Sequence, residues 1–235
     1  MSEVAVVSDV AKAAAELFVE ATAGAVAARG TAAVALTGGS SAAPLFAQLS
    51  QWKVPWDALQ IFFTDERAVA PEHELSNYRI ANPVLSKVRA DRIHRLRGEA
   101  ADLDAEAARA AADLRSTLGT PPRLDLMLLG LGPDGHILSL FAGVPGGADR
   151  GDDELVRHVA APTQVEPHVA RLTLTPFMVV TARTVVLQVT GAKKSAVLAR
   201  ALKGPEDLVA CPAQWLRRAS GRVVVVADAE AASGL

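Results

Sequence analysis

Three polar clusters in this 235-residue chain carry residue types suited to chemistry. The first is Gly38-Gly39-Ser40. Glycines let backbone N–H groups approach an anion closely, and a helix that follows offers its positive N-terminal end. Ser40 adds a hydroxyl donor. The second is Asp65-Glu66-Arg67. The planar fork of Arg67 suits a phosphate or a carboxylate, and Asp65 or Glu66 can orient it or hold hydroxyls. The third is Gly130-Leu131-Gly132-Pro133-Asp134-Gly135-His136. Imidazole ordinarily titrates near about 6.5, so His136 is available as a base near neutral pH. Asp134, two residues away, can fix its tautomer and stabilise the imidazolium formed during reaction. Gly132 and Gly135 leave backbone N–H groups for a substrate oxygen. Each cluster also has a plainer reading: a capped turn, solvated charges on a loop, or a capping Asp beside a packed His.

Two further cationic sites stand out. Arg171 opens the alternating stretch Arg171 to Thr175. Lys193-Lys194 follow Gly191 at the start of a helix, where a bound anion would offset the opposing helix dipole. The letters of 130–135 satisfy G-x-G-x-x-G, yet a dinucleotide reading fails. Asp134 would face a pyrophosphate with the wrong charge, and only a short helix, Leu138 to Phe141, follows. The five histidines show no metal-ligand spacing, so neither a metal nor a cofactor is expected. Cys211 stands alone, which excludes an intrachain disulfide and favours a structural thiol in a reducing compartment.

The elements that must position these residues alternate between the two periodicities. Helices are expected over 8–29, with Asp9 as cap and Gly30 as stop, and over 41–50, 102–118 and 192–203. Buried strands are expected at Ala32–Leu36, Leu59–Phe63, Leu124–Leu129, 155–160, 170–174, 184–190 and 222–227. Ser76 or Asn77 caps a short helix. The Gly-rich stretch 143–151 reads as a surface loop. This alternation predicts one doubly wound α/β domain over 1–235, with a mostly parallel sheet flanked by helices. Each polar cluster directly follows a buried strand. In a parallel sheet the carboxyl ends of the strands share one edge, so the three clusters can meet in one crevice.

Composition limits the partners. Half the residues are apolar, 21% are charged and the net charge is −2. No long run of like charge favours nucleic acid or an anionic membrane. No stretch of about twenty apolar residues exists to span a bilayer. The first residues lack a basic segment before an apolar core, so no secretory signal is expected and the cytoplasm is the expected location. A monomer or small homo-oligomer is expected.

Taken in order, the motifs resemble those of the 6-phosphogluconolactonase family. They are Gly38-Gly39-Ser40, Asp65-Glu66-Arg67, Ser76-Asn77-Tyr78, 130–136 with Ser139-Leu140-Phe141, Arg171 to Thr175, and Gly191 with Lys194. The resemblance implies a metal-free hydrolase of the pentose phosphate pathway, with a fold like that of the glucosamine-6-phosphate isomerases. Its partner would be a phosphorylated sugar lactone, 6-phospho-D-glucono-1,5-lactone. It implies His136 as the base that activates water, with Asp134 in support and Asp65 and Arg67 lining the site. Gly38, Gly39, Ser40, Arg171 and Lys194 become candidates for the phosphate end. Two departures stand out. Ile137-Leu138 replace the family's usual Thr-Ala, and Ser41-Ala42 replace its frequent Thr-Pro. Gly135-His136-Ile137 also matches the related deaminases, but Leu138 to Gly143 lacks the acid those enzymes use in ring opening. A sugar-phosphate sensor of the same fold would carry a basic DNA-binding segment, and none is evident.

Overall fold

A computed structural model describes residues 2–39, 41–144 and 154–235. The chain opens with a short strand, β1 (Glu3–Val6), then the long helix α1 (Val10–Arg29). Asp9 caps that helix by accepting from Lys12 N at 2.9 Å, and Gly30 ends it in the left-handed region. There follow β2 (Ala32–Leu36), α2 (Ala42–Leu49), β3 (Leu59–Phe63) and β4 (Asp65–Arg67). Two one-turn helices come next, α3 (Asn77–Ile80) and α4 (Asn82–Leu85), then α5 (Leu103–Leu118) and β5 (Leu126–Gly130). The second half runs β6 (Val156–Val159), β7 (Arg171–Leu174), α6 (Pro176–Thr181), β8 (Thr184–Val189), α7 (Ser195–Lys203), β9 (Arg222–Ala227) and α8 (Ala229–Ala232).

Six strands form a parallel sheet in the order β1-β9-β8-β5-β2-β3. The order explains where a ligand would sit. From β2 the chain moves outward through α2 to β3. After β5 it moves the opposite way, to β8 and then through α7 to β9. Right-handed crossovers running in opposite directions put their helices on opposite faces of the sheet. At the β2/β5 boundary the chain therefore leaves two adjacent strands in opposite directions and opens a crevice at their carboxyl ends. The residues after those two strands are Gly38 to Ser41 and Leu131 to His136.

The core lies between this sheet and its helices. All five residues of β2 are buried, as are Leu126 to Leu129 and Val223 to Ala227. Such unbroken apolar runs suit strands covered on both faces. Phe18 of α1 is fully buried and meets Trp56 at a ring separation of 6.0 Å. Burying such a side chain contributes roughly 2–3 kcal/mol.

Several expectations change. Strands 155–160 and 170–174 do not join the parallel sheet. As β6 and β7 they pair antiparallel with each other, and β7 with β4, in a separate sheet of order β4-β7-β6. Asp65-Glu66-Arg67 is thus a strand and not a loop. Its alternation is hidden because its charged side chains are satisfied internally. Leu138 to Phe141 is not a helix but a tight turn bridged by Ile137 and Leu140, with Leu138 at φ 57°. β1 was not expected, because four residues are too few for a pattern. Ser40 and residues 145–151 of the expected loop lie outside the described residues. No helix among the described residues is long and apolar enough to cross a membrane.

The edge opposite the crevice is closed by Asp125. Its carboxylate accepts from Ala33 N at 2.9 Å and from Arg29 at 2.5 Å, with Arg183 at 3.2 Å. It thereby joins the end of α1 to the starts of β2, β5 and β8. Asp125→Ala is expected to cost about 1.5–3 kcal/mol in urea unfolding, since a buried N–H loses a charged acceptor. Turnover by the folded protein should be unchanged. Loss of activity without loss of stability would contradict this assignment.

Candidate active site

A cleft of about 440 Å³ occupies the carboxyl edge of the sheet. It is bordered by Gly38, Gly39 and Ser41 after β2, by Asp65 and Arg67 of β4, and by Gly130 to Asp134 with His136 after β5. Lys194 after β8, Asn77 at the start of α3, and Gln164 to Glu166 complete the lining. Clusters far apart in the chain thus meet as the strand pattern predicts.

The turn after β5 holds a His–Asp pair. His136 Nδ1 lies 2.6 Å from Asp134 Oδ1. The Asp134 carboxyl is held at about 2, against an ordinary 3.8. Burial pushes it up, but the His136 hydrogen bond and charge, with the N–H groups of His136 and Ala142, outweigh burial. An ionised Asp134 can only accept, so Nδ1 carries the proton and Nε2 of neutral His136 is left with its lone pair. The ring is held edge-on by Phe141 at 5.2 Å. Gly132 makes this geometry possible. A Cβ there would lie 2.1 Å from His136 Nδ1 and 2.7 Å from Asp134 Oδ1.

The same turn corrects one expectation. Gly132 N–H donates to His136 O at 2.8 Å, and Gly135 N–H donates to Gly132 O at 3.1 Å. Both donors are consumed in shaping the turn and do not await a substrate oxygen. Cys211 is fully buried behind this turn, and a Cβ on Gly135 would meet its sulfur at 3.0 Å. Burial pushes the thiol pKa up, so Cys211 is packing and not a nucleophile.

Asp65 and Arg67 belong to a buried polar network. Ser139 Oγ donates to Asp65 Oδ2 at 2.7 Å, and Asn77 Nδ2 and Thr64 Oγ1 approach Oδ1 at 3.2 Å. Arg67 donates through NH1 to Asn77 Oδ1 at 2.5 Å and to Leu75 O at 2.8 Å, which fixes its guanidinium at the cleft. Glu66 faces the other way. It accepts from the N–H groups of Arg67, Asn77 and Tyr78 and from Ser76 Oγ, and so binds the start of α3 to β4. Burial raises its pKa, partly countered by those backbone donors. Asn77, a possible cap and part of the Ser76-Asn77-Tyr78 motif, is the hub. Its amide joins Asp65 to Arg67 and presses on Gly38, where a Cβ would overlap it at 1.7 Å.

The other cations divide. Lys194 borders the cleft; burial lowers its ammonium pKa and Asp228 partly restores it. Lys193 is exposed. Arg171 is not among the residues that border the cleft. Only 3% exposed, it donates to the carbonyls of Pro167, Val169 and Ala170. These carbonyls engage both terminal nitrogens of its guanidinium and turn them toward 167–170. They also anchor the segment that carries Gln164 to Glu166. Burial and the charge of Arg67, its partner across β4 and β7, push Arg171 down to about 10, with Asp65 and Glu66 offsetting. Of the two departures near His136, Ile137 is fully buried away from the cleft, whereas Leu138 borders it. No cluster of metal-ligating side chains occurs among the described residues.

Comparison with known proteins agrees with this geometry. The family model described as glucosamine-6-phosphate isomerases/6-phosphogluconolactonase matches residues 6–225. A 6-phosphogluconolactonase of Synechocystis is 33% identical over 218 residues, covering 90% of this chain and 88% of the relative. One from Rhizobium meliloti is 35% identical over 199 residues, covering 84% and 85%. The structure of 6-phosphogluconolactonase from Trypanosoma cruzi superposes with a TM-score of 0.90 at 26% identity, over 100% of this chain and 97% of that one. With a strand order that opens a crevice at β2/β5 and a His–Asp pair placed in it, the chain belongs to the glucosamine-6-phosphate isomerase/6-phosphogluconolactonase family.

Proposed function

We propose that His136 is the general base with which this chain opens 6-phospho-D-glucono-1,5-lactone to 6-phospho-D-gluconate. The observation that carries this reading is the 2.6 Å His136–Asp134 contact at the edge of a cleft lined by Arg67 and Lys194. Neutral Nε2 takes a proton from a water molecule. The resulting hydroxide attacks the lactone carbonyl, and the tetrahedral intermediate collapses by breaking the bond from C1 to the ring oxygen. The imidazolium returns its proton to that oxygen. Asp134 is a positioning residue that holds the tautomer and stabilises the imidazolium.

The phosphate end belongs at the turn of Gly38 to Ser41. That turn opens α2, and Ser41 makes no side-chain cap there, so the helix start remains a place for an anion. Arg67 and Lys194 supply the opposing charge. Asp65 lines the cleft but its oxygens are already engaged, so it holds the frame and does not react. The site acts on a small sugar phosphate in the cytoplasm and needs no metal.

His136→Ala is expected to lower kcat by about 10²–10⁴ over a corrected spontaneous background. An unchanged kcat would remove the base assignment. Turnover of freshly made lactone, coupled to 6-phosphogluconate dehydrogenase, should be unaffected by EDTA. Lys194→Met and Arg67→Met should mainly raise KM, as expected for contacts equal in ground and transition states. A fall in kcat alone would place either cation at the carbonyl instead.

The pH dependence has a definite sign. The folded Asp134 pKa of about 2 lies below its ordinary 3.8. Its contribution to stability is therefore complete above about pH 4 and is lost as pH falls from about 4 to 2. Asp134→Asn should flatten acid unfolding in that window. An acid midpoint and slope identical to the unmodified protein would contradict the pairing.

A further inference from the structure

Lys194 borders the cleft from an unfavourable place for a positive charge. It is half-buried, and it is the cap residue of α7, whose dipole opposes a cation. Burial lowers its ammonium pKa, and the charge that acts in the other direction is that of Asp228. The ammonium is not captured in return. It forms no ion pair among the described residues, so its N–H groups stay available to an anion.

Asp228 stands directly after β9 and is not among the residues that border the cleft. Backbone donors hold its carboxylate. Oδ1 accepts from Ala231 N–H at 2.7 Å and so caps α8. Both oxygens accept from Gly191 N–H, at 3.1 and 2.9 Å. Gly191, at φ 88°, opens the turn that carries Lys194, and its carbonyl accepts from Lys194 N–H at 3.1 Å. One residue thus joins the Asp228 carboxylate to the backbone of Lys194. A serine or an asparagine would cap α8 as well. What an aspartate adds is a negative charge, and the Gly191 turn fixes where that charge stands relative to Lys194.

We propose that Asp228 is a positioning residue of this site: it holds the Gly191–Lys194 turn and keeps Lys194 charged for the substrate phosphate without binding the ammonium itself. The proposal rests on the anion-binding role given to Lys194. Other charged or titratable groups surround this lysine. Lys193 shares its turn, and Glu230 of α8 accepts from Ala192 N–H at 3.3 Å. Asp65, Arg67, Asp134, His136 and Glu166 border the same cleft. Among them all, Asp228 is the charge that acts on Lys194.

The test is calorimetry of inorganic phosphate binding between about pH 8 and 10, where phosphate stays a dianion and a buried lysine loses its proton. Asp228→Asn keeps an acceptor for Gly191 and removes the charge. Its alkaline loss of phosphate affinity should begin at lower pH than in the unmodified protein, leaving binding about 3- to 10-fold weaker near about pH 9. Asp228→Ala removes the acceptor as well and should raise KM for the lactone about 5- to 20-fold at neutral pH, with kcat within about twofold. Glu230→Gln removes a carboxylate from the same helix and should leave the alkaline limb in place. In Lys194→Met the limb should vanish, and adding Asp228→Asn should change nothing further. A merely structural Asp228 would lower the melting temperature of its variants and leave the limb unmoved, which would overturn the proposal. An equal shift in Glu230→Gln would overturn it as well. Unchanged phosphate binding in Lys194→Met would remove the anion role of Lys194 and this proposal with it. Weakened binding in Lys194→Met with an unmoved limb in Asp228→Asn would sink this proposal alone.

Discussion

The reversal of winding at β2 and β5 is the constraint on which the rest depends. Backbone pairing holds these two strands side by side, with Val34 and Ala35 against Leu126 and Met127. Their continuations then part to opposite faces. Hydrogen bonds lost at the strand ends must be recovered locally, and after β5 a tight turn does so. The turn of 132–136 consumes its own N–H groups and, in closing, brings Asp134 onto His136. Gly38, Gly39 and Ser41, ahead of α2, border the same crevice.

The second sheet makes the crevice a site. β4 continues directly from β3 through Thr64, so the chain carries Asp65 and Arg67 from the end of a parallel strand into an antiparallel one. That placement sets two arginines opposite each other, Arg67 against Arg171. Like charges directly opposite are destabilising. Their opposite engagements reduce the strain: Arg171 turns to the carbonyls of 167–170, and Arg67 turns to Asn77 and the cleft. Buried Asp65 and Glu66 balance the pair electrostatically. Glu66 then fixes α3, whose first residue is Asn77, and Asn77 fixes Arg67. The ring of contacts closes on itself, which is why a short exposed-looking sequence of three charges is ordered.

The parallel sheet was legible because its strands are unbroken apolar runs. Ala32–Leu36 and Leu59–Phe63 occur where the pattern puts them, and Asp9 and Gly30 bound α1 as their types imply. The convergence of the polar clusters was legible for the same reason, since a parallel sheet gathers its carboxyl ends. What could not be read was partnership. Whether Asp65-Glu66-Arg67 lies in a loop or a strand depends on β7, more than a hundred residues later. Asn77 looks like one more capping residue until its contact with Gly38 is known. Arg171 has the right charge for a phosphate, but its contacts with the carbonyls of 167, 169 and 170 could not be read from its own stretch of sequence. The stretch 137–141 has helical composition, yet the bridge between Ile137 and Leu140 overrides local preference.

That last departure bears on the chemistry. Leu138 adopts a left-handed backbone, which costs a residue with a Cβ about 1–2 kcal/mol. Strain of this kind persists only where the surroundings impose it. Here Ser139, the next residue, is held by two contacts: its hydroxyl donates to Asp65 and its N–H to Thr173 Oγ1 at 3.1 Å. The previous turn is held by His136 and Gly132. The chain must pass from one anchor to the other within two residues, and Leu138 absorbs the change of direction. Its side chain is thereby turned to the cleft, while that of Ile137 goes into the core. The same constraint that fixes His136 therefore also selects which of the two unusual residues faces a substrate. The leucine at 138, standing where the family usually has alanine, thus puts its larger side chain at the border of the same cleft as His136.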